Sequence, residues 1–243
     1  MLIERILVDR EFAELDDAIW PMSVPAIRDV ARRGLRFTSD LVVLAGANGS
    51  GKSTLLEAIA EAYGIDVRGG HGGRRYASTQ DRSPLGGALR LRRTPIGETF
   101  TGRGATGFFL RAETAHGMLA HMTGVGVSGY GDRLSLEVSH GESYLQAVGG
   151  WFTGPGLYLL DEAEGPLSFE STLLLLQYLR EVVNSYDAQV IYSTHSPLVA
   201  ALPGAQLLEL SESGIEEQEW SDLDAVRLWQ AFLRAPQRMF DVR

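Results

Sequence analysis

The chain has 243 residues, a net charge of −9 and no cysteine, and 44% of its residues are hydrophobic. These values predict one large folded domain and exclude a disordered chain, and the lack of cysteine excludes disulfides and cysteine-ligated metal or redox sites. No apolar run reaches the ~18 residues of a membrane span, and the N-terminal stretch has no signal-peptide core, so we expect a cytoplasmic protein without membrane insertion.

The basic residues are unusual in type and in distribution. Lys52 is the only lysine among the 22 basic side chains. Residues 68–111 carry nine arginines against Asp81 and Glu98, which makes this Gly-rich segment basic on an otherwise acidic chain. The segment either attracts phosphate or nucleic acid or is a solvated loop, and both interpretations stay open.

Short apolar runs alternate with helical periodicity along the chain. Strands are predicted at residues 41–45, 89–93, 107–110, 157–160, 189–192 and 205–210, and helices at 54–63, 170–184 and 221–233. Gly64 is the predicted C-cap of the first helix and Ser221 the predicted N-cap of the last. The alternation indicates an α/β fold with a mainly parallel sheet flanked by helices. Residues 66–107 fit it poorly and are predicted to form an antiparallel or irregular side element.

The strongest motif lies between the strand at 41–45 and the helix at 54–63. Residues 46–54 read GANGSGKST and match the phosphate-binding pattern G-x-x-x-x-G-K-[ST]. Lys52 is expected to contact the β- and γ-phosphates, and the Ser53 hydroxyl is expected to coordinate Mg²⁺. The pattern predicts that the chain binds a nucleotide through the backbone and side chains of Asn48, Gly49, Ser50, Gly51, Lys52, Ser53 and Thr54.

A second motif follows the apolar strand at 157–160. Asp161 and Glu162 come directly after it, at the carboxyl edge of a parallel sheet, where the phosphate-binding loop also opens. We expect Asp161 to hold Mg²⁺ and Glu162 to orient or deprotonate an attacking water. The loop upstream favours this interpretation over a simple acidic turn.

Two shorter motifs become informative when they are considered together with the two motifs above. Residues 138–142 read VSHGE and precede Asp161, and residues 193–197 read STHSP and end the next predicted strand. The four motifs together resemble those of the ATP-binding-cassette (ABC) ATPases over residues 36–210. The family signature reads approximately Leu-Ser-Gly-Gly-Gln, and His140 here replaces its first glycine.

The resemblance implies a P-loop ATPase head that uses ATP and Mg²⁺ and forms a head-to-tail homodimer around ATP. It implies that Ser139, Gly141 and Glu142 reach the ATP held by the partner subunit, and that His195 senses the γ-phosphate. The family's Q-loop glutamine is missing from residues 107–113, where Glu113, and less well Arg111, is a candidate substitute for contact with Mg²⁺. Residues 165–168 replace the D-loop without its usual acidic residue. Trp20 and Phe37 are candidates for stacking on adenine, although for each of them a place in the hydrophobic core is the favoured alternative.

We predict a single ABC-type ATPase domain over residues 1–243, with 66–107 as the side element and 114–143 as a short signature-bearing helical part. The motifs look most like those of RecF-like, SMC-like and "predicted AAA-type" bacterial ATPases, although no heptads predict a coiled-coil arm. Three functions remain open. They are a soluble ATPase that drives a protein partner or a nucleic-acid process, the nucleotide-binding subunit of a transporter, and a regulatory ATP-binding module with little turnover.

Overall fold

The computed structural model describes residues 1–73, 83–112 and 140–240 of the chain. Within these ranges the strands are β1 (Ile3–Val8), β2 (Leu35–Arg36), β3 (Leu41–Gly46), β4 (Gly70–His71), β5 (Leu89–Arg93), β6 (Gly107–Arg111), β7 (Gly156–Asp161), β8 (Ala188–Thr194), β9 (Gln206–Ser211) and β10 (Gly214–Glu217). The helices are α1 (Arg10–Ala13), α2 (Pro25–Arg33), α3 (Lys52–Tyr63), α4 (Pro84–Ala88), α5 (His140–Trp151), α6 (Phe169–Ser185), α7 (Pro197–Ala200) and α8 (Asp224–Arg234).

A seven-stranded sheet in the order β10-β9-β3-β8-β7-β6-β4 runs through the middle of the described structure. The five strands from β9 to β6 are parallel to their neighbours, while β10 and β4 pair antiparallel at the two edges. Both β7 and β8 are buried along their whole length. Because helices cover both faces, these central strands are continuous apolar runs rather than alternating ones. The predicted α/β fold with a mainly parallel sheet is confirmed.

Each face of this sheet carries its own hydrophobic core. Val42 and Leu44 of β3 point to one face, where they join the core built on α3, α2 and β1. Val43 points to the opposite face and joins the core built on α5 and α6. Successive side chains of a strand alternate between faces, so a single apolar run supplies both cores.

A second, three-stranded antiparallel sheet, in the order β2-β1-β5, lies beside the first core. The sequence predicted β5 but not β1, whose burial does not follow a strict alternation. The fully buried Gln189 of β8 connects the two sheets. Its Oε1 accepts from the backbone N–H groups of Leu2 (3.0 Å) and Ile3 (2.7 Å), and its Nε2 donates to the Ile3 carbonyl at 3.1 Å.

The predicted ends of the first helix are close to those observed, but the predicted start of the last helix was wrong. Gly64 ends α3 in the left-handed conformation that a C-cap favours, with a φ of 105°. Ser221 lies instead within a 3₁₀ turn, Trp220–Asp222, and does not cap α8. The backbone N–H of Asp224 donates to Glu209 Oε1 of β9 at 2.9 Å, so a distant side chain supplies the acceptor.

Among the described helices, none is both long and apolar enough to cross a membrane.

Candidate functional site

The loop of residues 46–51 connects β3 to α3 at the carboxyl edge of the large sheet. Gly51 precedes the helix with a φ of 100°, a left-handed conformation that glycine adopts without a steric penalty. A Cβ atom there would lie 2.9 Å from Val24 Cγ1, just before α2. Both the left-handed backbone conformation and the close packing of Val24 and α2 therefore require glycine at this position of the loop.

Lys52 lies inside this loop with only 4% of its surface exposed. Its Nζ donates to the Gly46 carbonyl at 2.8 Å and to the Ala47 carbonyl at 2.9 Å. Burial lowers the pKa of Lys52, and the nearby carboxylates of Glu162 and Asp161 act in the opposite direction. The ammonium group is thus held by neutral carbonyls within a ring of backbone, the environment expected of a phosphate-binding lysine.

Asp161 ends β7 and faces the loop. Its Oδ1 accepts hydrogen bonds from Ser53 Oγ, at 3.1 Å, and from Ser193 Oγ. The hydroxyl and the carboxylate predicted to bind Mg²⁺ are therefore adjacent, and oxygen ligands of this kind fit the ion. Among the described residues, no group of three or more acidic or histidine side chains could hold a metal ion.

Glu162 and His195 meet at the mouth of the site. Glu162 Oε1 lies 3.2 Å from His195 Nδ1, and both side chains are partly exposed, at 36% and 56%. Glu162 has a φ of 50°, a left-handed conformation that is uncommon for a residue other than glycine. Hydrogen bonds of its backbone N–H to the Ser193 carbonyl and of the Gly165 N–H to its own carbonyl, both 3.0 Å, hold this conformation. Strain held in this way is characteristic of functional positions.

Sequence reasoning assigned no role to Glu164, yet it is the centre of a hydrogen-bond network beneath this pair. Its carboxylate accepts from the Tyr192 hydroxyl at 2.8 Å and from Thr194 Oγ1. Thr194 Oγ1 in turn accepts from the backbone N–H of Ser196 at 2.8 Å. The residues on both sides of His195 are thereby tied to Glu164. The only signal in the sequence is an acidic residue two positions after Glu162.

The loop opens into a cleft of about 550 Å³. Its lining includes Asn48, Lys52, Ser53, Asp161 and Glu162. Trp20 and Arg111, which lie outside the main motifs, also line it. Trp20 is 56% exposed, whereas Phe37 is 1% exposed and belongs to the hydrophobic core. Of the two aromatic candidates for stacking on a base, Trp20 is exposed, whereas Phe37 is a core residue, the alternative that the sequence analysis favoured for it.

The signature residues and the second metal candidate are described only in part. Ser139 and Glu113 lie outside the described residues. Gly141 and Glu142 lie in the first turn of α5, where only the backbone is described. The helix packs on α6 within the second core, and the Tyr144 hydroxyl donates to the Ala163 carbonyl at 2.8 Å. This contact joins α5 to the turn that carries Glu162, but the roles of Ser139, Gly141, Glu142 and Glu113 stay predictions.

Several arginines of the basic segment 68–111 that the structure describes are paired with acidic residues of the same chain. The pairs are Arg68–Asp66, Arg90–Asp9, Arg92–Glu4 and Arg111–Glu57. The excess of positive charge that the sequence shows is therefore partly compensated by the fold.

Comparison with known proteins gives structural similarity alone. No family description matches the chain, and no curated protein sequence matches it. Similar solved structures include cbiO1 from Clostridium perfringens, part of the ABC transporter complex cbiONQ, at 14% identity and a TM-score of 0.47, covering 86% of this chain and 90% of that one. A second is an inward-facing putative metal-chelate type ABC transporter, at 13% identity and a TM-score of 0.49, covering 95% and 89% of the two chains.

A third is a dimeric bacterial ABC transporter cassette, at 15% identity and a TM-score of 0.46, covering 76% of this chain and 88% of that one. All three TM-scores lie below 0.5, and the three solved structures are described as parts of ABC transporters.

Proposed function

We propose that this chain is an ABC-type ATPase that binds ATP with Mg²⁺ and hydrolyses it to ADP and phosphate. The observation that carries the proposal is the meeting of three groups at one sheet edge. The phosphate-binding loop holds Lys52 and Ser53, and Asp161 lies 3.1 Å from the Ser53 hydroxyl. Glu162 follows Asp161, and its Oε1 lies 3.2 Å from His195 Nδ1. Phosphoryl transfer needs positioning and charge stabilisation more than covalent chemistry, and this arrangement offers both.

In the proposed mechanism each group has one task. The loop N–H groups, the N-terminus of α3 and Lys52 bind the phosphates. Ser53 and Asp161 would hold Mg²⁺, and the ion would supply charge neutralisation at the phosphate oxygens. Glu162 orients the attacking water and accepts its proton, and His195 holds the Glu162 carboxylate in place through Nδ1. Trp20, which lines the cleft, supplies an aromatic face for the adenine.

We further propose that two copies sandwich ATP head to tail, with Ser139, Gly141 and Glu142 of one copy completing the site of the other. The motif at 138–142 supports this, together with the position of Gly141 in the first turn of a helix, where backbone N–H groups favour an anion. As a soluble enzyme the dimer would drive a protein partner. A transporter subunit fits the same fold, since similar solved structures come from transporters. We do not propose a nucleic-acid partner for residues 68–111, because several of the described arginines there form ion pairs within the chain.

The test compares three variants for ATP binding, ATP hydrolysis and size. Lys52→Ala should lose most ATP affinity, because it removes the only ammonium group of the loop. Glu162→Gln should keep ATP affinity and lose about 10²–10⁴-fold in kcat. With ATP and Mg²⁺ it should elute as a dimer, because the ATP-bound dimer persists when hydrolysis is blocked. Glu181→Gln, at an exposed position of α6, is the matched control and should behave as the wild type.

Unchanged ATP affinity in Lys52→Ala would refute the binding site, and unchanged kcat in Glu162→Gln would refute its role as base. A strict monomer in Glu162→Gln with ATP would refute the sandwich dimer. A membrane subunit that copurifies with the ATP-bound Glu162→Gln variant would favour the transporter alternative over the soluble enzyme.

A further inference from the structure

Arg111 occupies a position that the proposed mechanism does not use. It is the last residue of β6 and is paired in register with Asp161 of β7. One guanidinium nitrogen, Nη1, lies 2.7 Å from Glu57 Oε1 and donates to the Val67 carbonyl at 3.1 Å. The other, Nη2, lies 3.8 Å from Asp161 Oδ2. The side chain is only 16% exposed, so α3 and the neighbouring loop hold this positive charge beside the cleft.

The two oxygens of Asp161 have different surroundings. Oδ1 accepts from the hydroxyls of Ser53 and Ser193, whereas Oδ2 faces the guanidinium group of Arg111. A positive charge at this distance reduces the attraction of the carboxylate for a second cation, and the effect is strong where water is scarce. Asp161 is 7% exposed, so the repulsion between Arg111 and a cation at Asp161 is poorly screened.

Arg111 is also one of the residues that line the cleft into which the phosphate-binding loop opens. Among the described residues that line it, Lys52 and Arg111 are the cationic ones and Asp161 and Glu162 the anionic ones. Arginine presents several N–H donors in a planar fork that matches phosphate oxygens. Arg111 is therefore placed to attract a polyphosphate and to oppose a metal ion at the same time.

We propose that Arg111 is a second cation of the phosphate site, which supports nucleotide binding without metal and weakens the binding of Mg²⁺ at Asp161. This inference rests on the proposed ATPase function and adds a residue to its site. It predicts that one substitution weakens the binding of ATP and of MgATP to different extents. Loss of the guanidinium should weaken the binding of ATP alone, while the affinity for MgATP should fall less, because Mg²⁺ is then bound without a competing charge.

The experiment measures the Kd for ATP by calorimetry, once with EDTA and once with saturating Mg²⁺. The readout is the ratio of the Kd without metal to the Kd with metal. We expect Arg111→Gln to raise this ratio by about tenfold, the size of one charge-assisted contact. Arg111→Lys keeps a cation and should retain a ratio within about threefold of the wild type. Arg227→Gln, which removes an exposed arginine paired with Asp222 on a distant helix, is the control.

Removal of Arg111 alone leaves Glu57 without this partner, so a double variant, Glu57→Gln with Arg111→Gln, removes both charges and protects folding. It should show the same raised ratio. An unchanged or lower ratio in both variants would overturn the inference while leaving the ATPase proposal intact. A wild-type protein that binds no ATP in either buffer would instead refute the ATPase proposal, and the inference with it.

Discussion

Removal of the Glu164 carboxylate tests how the fold holds the Glu162–His195 pair. The Tyr192 side chain is fully buried, and its hydroxyl donates to Glu164 at 2.8 Å. Glu164→Ala leaves this buried hydroxyl without its acceptor, which costs about 1–3 kcal/mol, and Thr194 loses a charge-assisted bond as well. We therefore expect a loss of about 2–4 kcal/mol in the free energy of unfolding. Glu164→Gln keeps one acceptor oxygen and should lose about half as much.

The same substitution should lower kcat without changing the affinity for ATP. Thr194 and Ser196 flank His195 and are tied to Glu164, whereas Glu164 is not among the described residues that line the cleft. A freed His195 no longer holds Glu162 at 3.2 Å, so kcat should fall at least about tenfold while the Kd for ATP stays constant.

The assays are urea unfolding followed by circular dichroism, steady-state kinetics, and ATP binding by calorimetry. Glu181→Ala, at an exposed position near the end of α6, is the control and should change none of the three. A double-mutant cycle with Tyr192→Phe isolates the hydrogen bond, and a coupling energy near zero would refute the reasoning. So would a Glu164→Ala protein within about 0.5 kcal/mol of the wild type.

Two further predictions concern stability. Burial raises the pKa of Tyr192, Tyr144 and Tyr158, so their folded values lie above the unfolded value of about 10. Their contribution to stability is therefore complete below pH ~10 and is lost as the pH rises through the folded values, so urea midpoints should fall above pH ~10 and fall less steeply in Tyr192→Phe. Equal slopes for the two proteins would count against this. Gln189→Leu orphans the buried N–H groups of Leu2 and Ile3 and should cost about 2–5 kcal/mol in urea unfolding. A cost under about 1 kcal/mol would show that the two sheets do not depend on this side chain.

The site was predictable where its residues are close in sequence. A phosphate-binding loop is one continuous turn between a strand and a helix, and its glycines and lysine carry their conformational and chemical requirements in order along the chain. Asp161 and Glu162 were predictable for a related reason. Parallel strands place their carboxyl ends at one edge, so an acidic pair after an apolar strand lies near such a loop in this fold. His195 was placed at the end of the next predicted strand, but its pairing with Glu162 depends on β7 and β8 being neighbours in the sheet.

The sequence by itself determined the α/β pattern, the phosphate-binding loop and the acidic strand end, because each depends on local spacing and backbone geometry. Only the tertiary structure decided the partners of single polar side chains that are distant in sequence. Gln189 reaches β1 across the core, Glu164 holds the strand that leads to His195, and Arg111 faces Asp161 across two paired strands. Such partners depend on strand order, register and side-chain direction together, and a hydrophobic pattern specifies which face a residue lies on but not which polar atom it meets there.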